Sequence, residues 1–203
     1  MSQHMYSKIV VASDSFKGSL SSLEVADAAA KAIKECIPGC CVEKVEVADG
    51  GEGTMEALHR TLGGVKVAVE VCDPLGRPIT ASYVILADGV TAVLEMAAAS
   101  GLPLLAPQER NPMKTSTYGT GELIADALKR GCRKFLVGIG GSATNDAGMG
   151  MLEALGVRFW DGDGNLLKGC GASLEQVEGI EPSSSAWKAE VIAIIRHLRK
   201  NYS

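Results

Sequence analysis

Three glycine-rich polar segments in this chain each follow a short apolar run and precede a stretch of helical repeat, and that order leaves few folds open. The first run, Lys8 to Ser13, is β-branched and apolar and ends in polar residues, the pattern of a buried parallel strand. Ser21-Ser22-Leu23-Glu24 then has the Ser-x-x-Glu form of a capping box. Val25, Ala28, Ala29, Ala32 and Ile33 recur behind it at helical spacing until Pro38-Gly39. Val42 to Ala48 reads as the second strand and Glu52 to Leu62 as the second helix, stopped by Gly63-Gly64. The chain therefore opens as β-α-β-α.

The middle changes character. Lys66 to Val71, Ile79 to Leu86 and Thr91 to Met96 are strand-like runs separated by the turn signals Asp73-Pro74-Leu75-Gly76 and Asp88-Gly89, which predicts a hairpin or meander. No period survives from Gly101 to Tyr118, where Pro103, Pro107 and Pro112 mark a long loop of the functional or linking kind. Helix resumes over Gly121 to Arg130. Phe135 to Gly140, Asn145 to Leu155 and Val157 to Trp160 then read as a further β-α-β unit before the turn Asp161-Gly162-Asp163-Gly164. Beyond Pro182, the residues Trp187, Val191, Ile192, Ile195, Leu198 and Tyr202 fall on one helical face. The class is α/β with a parallel sheet in at least part of it, and 203 residues suffice for one domain or two small ones.

Charge and composition exclude several functions. Lys+Arg 20 against Asp+Glu 24 leaves a net charge of −4, so no basic field gathers nucleic-acid phosphates or anionic lipid. Ile9 to Ala12 is far too short for a membrane helix or a secretory core, so the protein is expected in the cytoplasm. The six cysteines show no Cys-x-x-Cys pair, and with only His4, His59 and His197 beside them a zinc site is not expected; the thiols are expected reduced and mostly buried.

The glycine clusters carry the chemistry. Gly138 to Gly150, between a strand end and a helix start, reads either as a cradle whose backbone N–H groups meet an anion or as a tight packing turn. It lacks the spacing of a P-loop and, from Gly138, of the dinucleotide fingerprint. In Ala48-Asp49-Gly50-Gly51-Glu52-Gly53-Thr54 two carboxylates stand beside glycines, placed to bind magnesium, to accept a proton, or simply to complement a helix dipole. Asp14-Ser15-Phe16-Lys17-Gly18-Ser19 joins an acid, a hydroxyl and a lysine suited to hold phosphate or carboxylate as a point charge. All three lie at carboxyl ends of expected strands, where open α/β sheets bind ligands. Asn111 to Glu122 is either a fourth contribution or an elaborate N-cap. Glu95 ends an apolar strand and needs a partner or a function, whereas His59 lies mid-helix and reads as packing or surface. These residues alone describe an α/β protein for an anionic, phosphorylated ligand, with phosphoryl transfer the leading class.

Taken together, Asp14 to Leu20, Ala48 to Thr54, Asp73 to Gly76, Glu95 to Leu102, Thr117 to Glu122 and Gly138 to Gly150 closely resemble the bacterial glycerate kinase type 1 family, in order, from about Lys8 to about Pro182. The resemblance implies transfer of the ATP γ-phosphate to a hydroxyl of D-glycerate with magnesium. It also implies two α/β domains: 1–76 as the N-terminal part of a first domain whose parallel Rossmann-like sheet is incomplete here, and 77–182 as a second, inserted domain. On the matched positions, Asp14, Lys17 and Asp49 are the expected catalytic residues. Ser15, Gly50, Gly51, Glu52, Thr120, Gly140, Gly141, Ser142, Asn145 and Asp146 are expected to bind substrate or phosphate, with Asp49 and Asp146 holding magnesium. Residues 183–203 are expected as a helical tail outside the family. Family members are longer, so the competing expectation is a shortened, inactive fragment that at most binds ligand or self-associates, and a homo-oligomer is among the expected partners.

Overall fold

The computed structural model describes residues 6–14, 16, 19–47, 50–51, 53–182 and 190–194. The chain divides into two compact units, 1–49 and 50–203.

In the first unit β1 (Lys8–Ser13) and β2 (Cys41–Glu46) pair in parallel, Lys8 opposite Cys41 and Ser13 opposite Glu46, with α1 (Ser22–Cys36) between them in sequence. The capping box forms as expected: the Ser21 hydroxyl accepts the Glu24 N–H, and the Glu24 carboxylate accepts the Ser21 N–H at 2.7 Å. These bonds hold the Glu24 carboxyl below its usual range, so the box is complete above that range and opens as acid protonates the carboxylate. Ser21→Ala is expected to destabilise this unit by about 1 kcal/mol, checked by chemical denaturation.

The second unit is built on a mixed sheet in the order β10-β6-β5-β4-β3. β3 (Val65–Cys72), β4 (Pro78–Ile85) and β5 (Thr91–Glu95) run antiparallel in succession, whereas β5, β6 (Lys134–Gly138) and β10 (Glu190–Ile194) are parallel. Because neighbours on a strand face opposite sides, Tyr83 and Leu94 pack toward α4 (Tyr118–Lys129) with Leu123 and Phe135. Val84 and Val93 pack with Met55 and Leu58 of α2 (Thr54–Leu62) on the other face. The Tyr83 hydroxyl donates to Asp126 at 2.8 Å, which Arg130 also engages; burial, then that carboxylate, push the phenol up.

Past the sheet come a short α3 (Ala97–Ser100) and two 3₁₀ turns, Leu102–Leu104 and Pro107–Glu109. The stretch without period is tied to the β3–β4 turn by one ionic contact: buried Asp73 accepts the Leu75 and Arg77 N–H groups, and Arg77 reaches Glu109 at 2.8 Å. After α5 (Met149–Ala154), β7 (Arg158–Trp160) pairs antiparallel with β8 (Leu166–Leu167) and β9 (Gly179–Glu181) in a separate small sheet.

Several expectations change here. The β-α-β unit expected through Trp160 does not form, because the Asp161–Gly164 turn closes a hairpin and takes β7 out of the parallel sheet. The boundary expected at Gly76 falls inside the β3–β4 hairpin, whose register runs from Val65 opposite Ile85 to Cys72 opposite Pro78. The helical reading of 183–203 fails at Glu190–Ile194, a strand on β6; a short apolar run does not separate the two periods. The rest of that segment lies outside the described residues. All six cysteines are free; Cys40 and Cys132 are buried, but Cys36 and Cys41 are exposed, so the expected burial holds only in part. Among the described residues no helix is long and apolar enough to cross a membrane.

Candidate active site

The carboxyl ends of β5 and β6 lie side by side, Glu95 opposite Gly138, and the two glycine clusters of the second unit meet there. The Gly140 N–H donates to the Gly50 carbonyl at 2.9 Å. A Cβ on Gly138 would lie 2.7 Å from that same oxygen, and one on Gly140 would lie 2.7 Å from the Gly51 Cα. Side chains are therefore excluded at the crossing, the close approach that glycine alone permits. Thr54, buried at the start of α2, closes the 50–54 turn by accepting from the Gly50 N–H and donating to the Gly51 carbonyl.

Glu95 acquires its partner here: its carboxylate accepts the Met55 N–H at 2.8 Å, in the first turn of α2, where a negative charge is favoured. His59 stays peripheral, 3.2 Å from the Gly64 carbonyl.

Beyond Gly140 the chain is pinned from behind. The Leu102 N–H donates to the Gly141 carbonyl, the Ala143 N–H to the Ser100 carbonyl at 2.9 Å, and the buried Thr115 hydroxyl to the Ala143 carbonyl at 2.9 Å. The Ser142 hydroxyl accepts the Thr144 N–H. Elsewhere on the turn the N–H groups of Gly141, Ser142, Asn145 and Ala147, none of them buried residues, find no acceptor among the described residues. Such a row of free donors at the ends of parallel strands suits an anion.

Of the expected site residues, the structure thus brings together Gly50, Gly51, Gly140, Gly141 and Ser142, with Asn145 exposed on the same turn. Thr120 is not among them. It is 2% exposed, its hydroxyl lies 2.7 Å from that of Ser100 and it also donates to the Met96 carbonyl, so it joins α4 to α3 instead of facing a ligand. Asp146 is on the turn, but its side chain is buried and points behind it. Asp14 sits in the first unit directly after β1; Ser15, Lys17, Asp49 and Glu52 lie outside the described residues. The residues that sequence alone leaves without a role are Thr54 and Thr115. Both lie in the polar clusters quoted above, and only their burial distinguishes them from the hydroxyls beside them.

Free backbone N–H groups of this kind suit phosphate oxygens. For magnesium, no group of three or more potential ligands exists among the described residues. Magnesium commonly takes only one or two carboxylates together with phosphate oxygens and water, and Asp49, expected to hold it, lies outside the described residues.

The chain matches the Glycerate kinase family over residues 9–196, so the match runs past Pro182 and includes β10, correcting the expected family boundary. It is 48% identical over 176 residues to a glycerate kinase of Bacillus subtilis (strain 168), covering 87% of this chain and 46% of that protein. The glycerate 2-kinase of Escherichia coli (strain K12) gives the same identity and coverage. A solved structure from Salmonella typhimurium LT2, assigned as glycerate kinase 2, superposes with a TM-score of 0.77 at 44% identity, covering 93% of this chain and 51% of that one. The chain spans about half the length of the curated relatives it matches. With most of its length matched and its α/β fold shared with a solved relative, this chain belongs to the glycerate kinase family.

Proposed function

We propose that this chain acts in the ATP-dependent phosphorylation of D-glycerate to phosphoglycerate, in the cytoplasm, with ATP and glycerate as its small-molecule partners. The observation that carries the reading is the set of N–H groups at Gly141, Ser142, Asn145 and Ala147 that find no acceptor among the described residues, on the turn beyond the carboxyl ends of β5 and β6 in a chain of this family. In phosphoryl transfer the protein mainly positions the reactants and neutralises charge around the moving group. The Gly140-Gly141-Ser142 turn holds phosphate oxygens through backbone donors, and Asn145 adds a side-chain amide. Lys17 supplies a point charge to phosphate or to the glycerate carboxylate. Ser15, Gly50, Gly51 and Glu52 are assigned to substrate or phosphate binding by their positions in the family pattern. As the bond between the γ-phosphorus and its bridging oxygen breaks, a glycerate hydroxyl oxygen bonds to phosphorus and its proton passes to a carboxylate, Asp14 or Asp49. Magnesium, held with the help of Asp49, supplies charge neutralisation on the phosphates when bound.

A coupled ADP-release assay with ATP, magnesium and D-glycerate tests this, with Asp49→Ala as control. Glycerate-dependent turnover that falls at least about a hundredfold in the variant is the expected result. Because the chain covers 46% of its relatives' length, a second reading is a module that binds nucleotide without turnover or self-associates. ATP binding by calorimetry with no ADP release from the folded chain would select that second reading.

A further inference from the structure

We infer that Asp146 is a positioning residue that builds the anion-facing turn from behind, and not a ligand of metal or phosphate. Its side chain is 1% exposed, and both carboxylate oxygens are occupied by the chain itself. Oδ2 accepts the Thr117 N–H and the Thr117 hydroxyl, each at 2.8 Å, and the Gly150 N–H at 3.1 Å, while Oδ1 accepts the Gly148 N–H at 3.1 Å. The Thr117 hydroxyl in turn accepts the Met151 N–H at 2.9 Å. One buried carboxylate thus joins the start of α4 to the start of α5. With the side chain 1% exposed and four donors already on it, an ion together with its water and phosphate ligands has no room to reach this carboxylate without breaking the packing around it.

The bonds also explain the shape of the turn. Ala147 has φ +51, the only positive φ of a non-glycine among the described residues, and Gly148 follows at φ +77. Such a conformation persists only where its surroundings enforce it. Here Asp146 holds the residues on the far side of Ala147 by their N–H groups, which delays α5 to Met149 and leaves Asn145 and Ala147 exposed on the turn. Gly150 is part of the same construction, since a Cβ there would lie 3.0 Å from Oδ2 and 2.1 Å from the Ser116 hydroxyl.

Asp146→Asn places an amide against converging donors, and amide hydrogen exchange by NMR reads the consequence directly. Protection of the Thr117, Gly148 and Gly150 amides is expected to fall about tenfold or more, with the α4 interior from Leu123 to Leu128 unchanged. Thr117→Val, which removes the hydroxyl linking Asp146 to Met151, should loosen Gly150 and Met151 likewise, and Thr117→Ser should restore them. Unchanged protection in both Asp146→Asn and Thr117→Val, or a uniform loss that includes the α4 interior, would overturn the inference. Its bearing on nucleotide rests on the function proposed above: ATP binding should weaken by one factor with magnesium and with EDTA alike. Weakening confined to the magnesium arm would make Asp146 a metal ligand and overturn the inference. Wild-type chain that binds no ATP would defeat the proposed function alone, leaving the exchange arm to decide the role of Asp146.

Discussion

Gly119→Ala is expected to cost the second unit about 2 kcal/mol or more, although alanine is by itself the better helix former. The intrinsic preference favours the substitution by about 1 kcal/mol in a helix interior. Packing opposes it more strongly. A Cβ at Gly119 would lie 1.8 Å from the Cys72 carbonyl oxygen, 2.9 Å from its carbon and 3.2 Å from the Ala99 Cβ. The first two are backbone atoms at the end of β3 and cannot turn aside. Nor can α4 withdraw, because Glu122 accepts the Cys72 N–H at 2.6 Å on one side and a Cβ on Gly121 would already meet the Met151 carbonyl oxygen at 2.4 Å on the other. An approach this close to fixed backbone lies at or beyond the top of the usual overpacking range of about 1–3 kcal/mol, which leaves a net loss of about 2 kcal/mol or more after the propensity gain. Urea unfolding should show a lower midpoint with an unchanged slope. A midpoint at or above that of the parent would mean that the helix rides on β3 far more loosely than these distances require.

The same glycines explain why α4 starts earlier than the sequence indicates. Helical periodicity is legible only from Gly121, since Gly119 and Gly121 depress local propensity, yet the helix begins at Tyr118 because those glycines are its contact points. Elements whose signals are local read well: β1 has the expected bounds, the Ser21–Glu24 box forms, and β3, β4 and β5 fall within a residue or two of their runs. Features set by distant partners do not. Asn145 to Gly148 carry helical spacing, but the side chain of Asp146 binds N–H groups at Gly148 and Gly150 and postpones α5. Thr120 and Ser142 are alike as hydroxyls beside glycines, and only tertiary packing turns the first inward to Ser100 and leaves the second on the open turn. The meeting of the Gly50 and Gly138 clusters is foreseeable from their common place at strand ends; that they touch through backbone alone is not.

Gly140→Ala is expected to weaken ATP binding by at least about tenfold while leaving the sheet folded. The added methyl would lie 2.7 Å from the Gly51 Cα and 3.1 Å from both the Gly50 oxygen and the Gly51 nitrogen, so the two segments must separate. Separation stretches the bond from the Gly140 N–H to the Gly50 carbonyl, at 2.9 Å the direct link between the clusters. Gly140 lies two residues beyond the end of β6, so the displacement falls on the turn and not on the buried strands, whose core residues Phe135 and Val137 are upstream. Tenfold corresponds to about 1.4 kcal/mol, no more than the net contribution of one hydrogen bond to a charged phosphate, so disturbing the Gly141 and Ser142 donors together should reach it. Ser142→Ala isolates the hydroxyl from the backbone donors and should have the smaller effect, because the N–H groups remain in place. Calorimetric ATP titration of both variants, with circular dichroism as the control for folding, gives the comparison. If Gly140→Ala binds as tightly as the parent, the crossing of the two glycine clusters is a packing device, and the anion must be held by other parts of the chain.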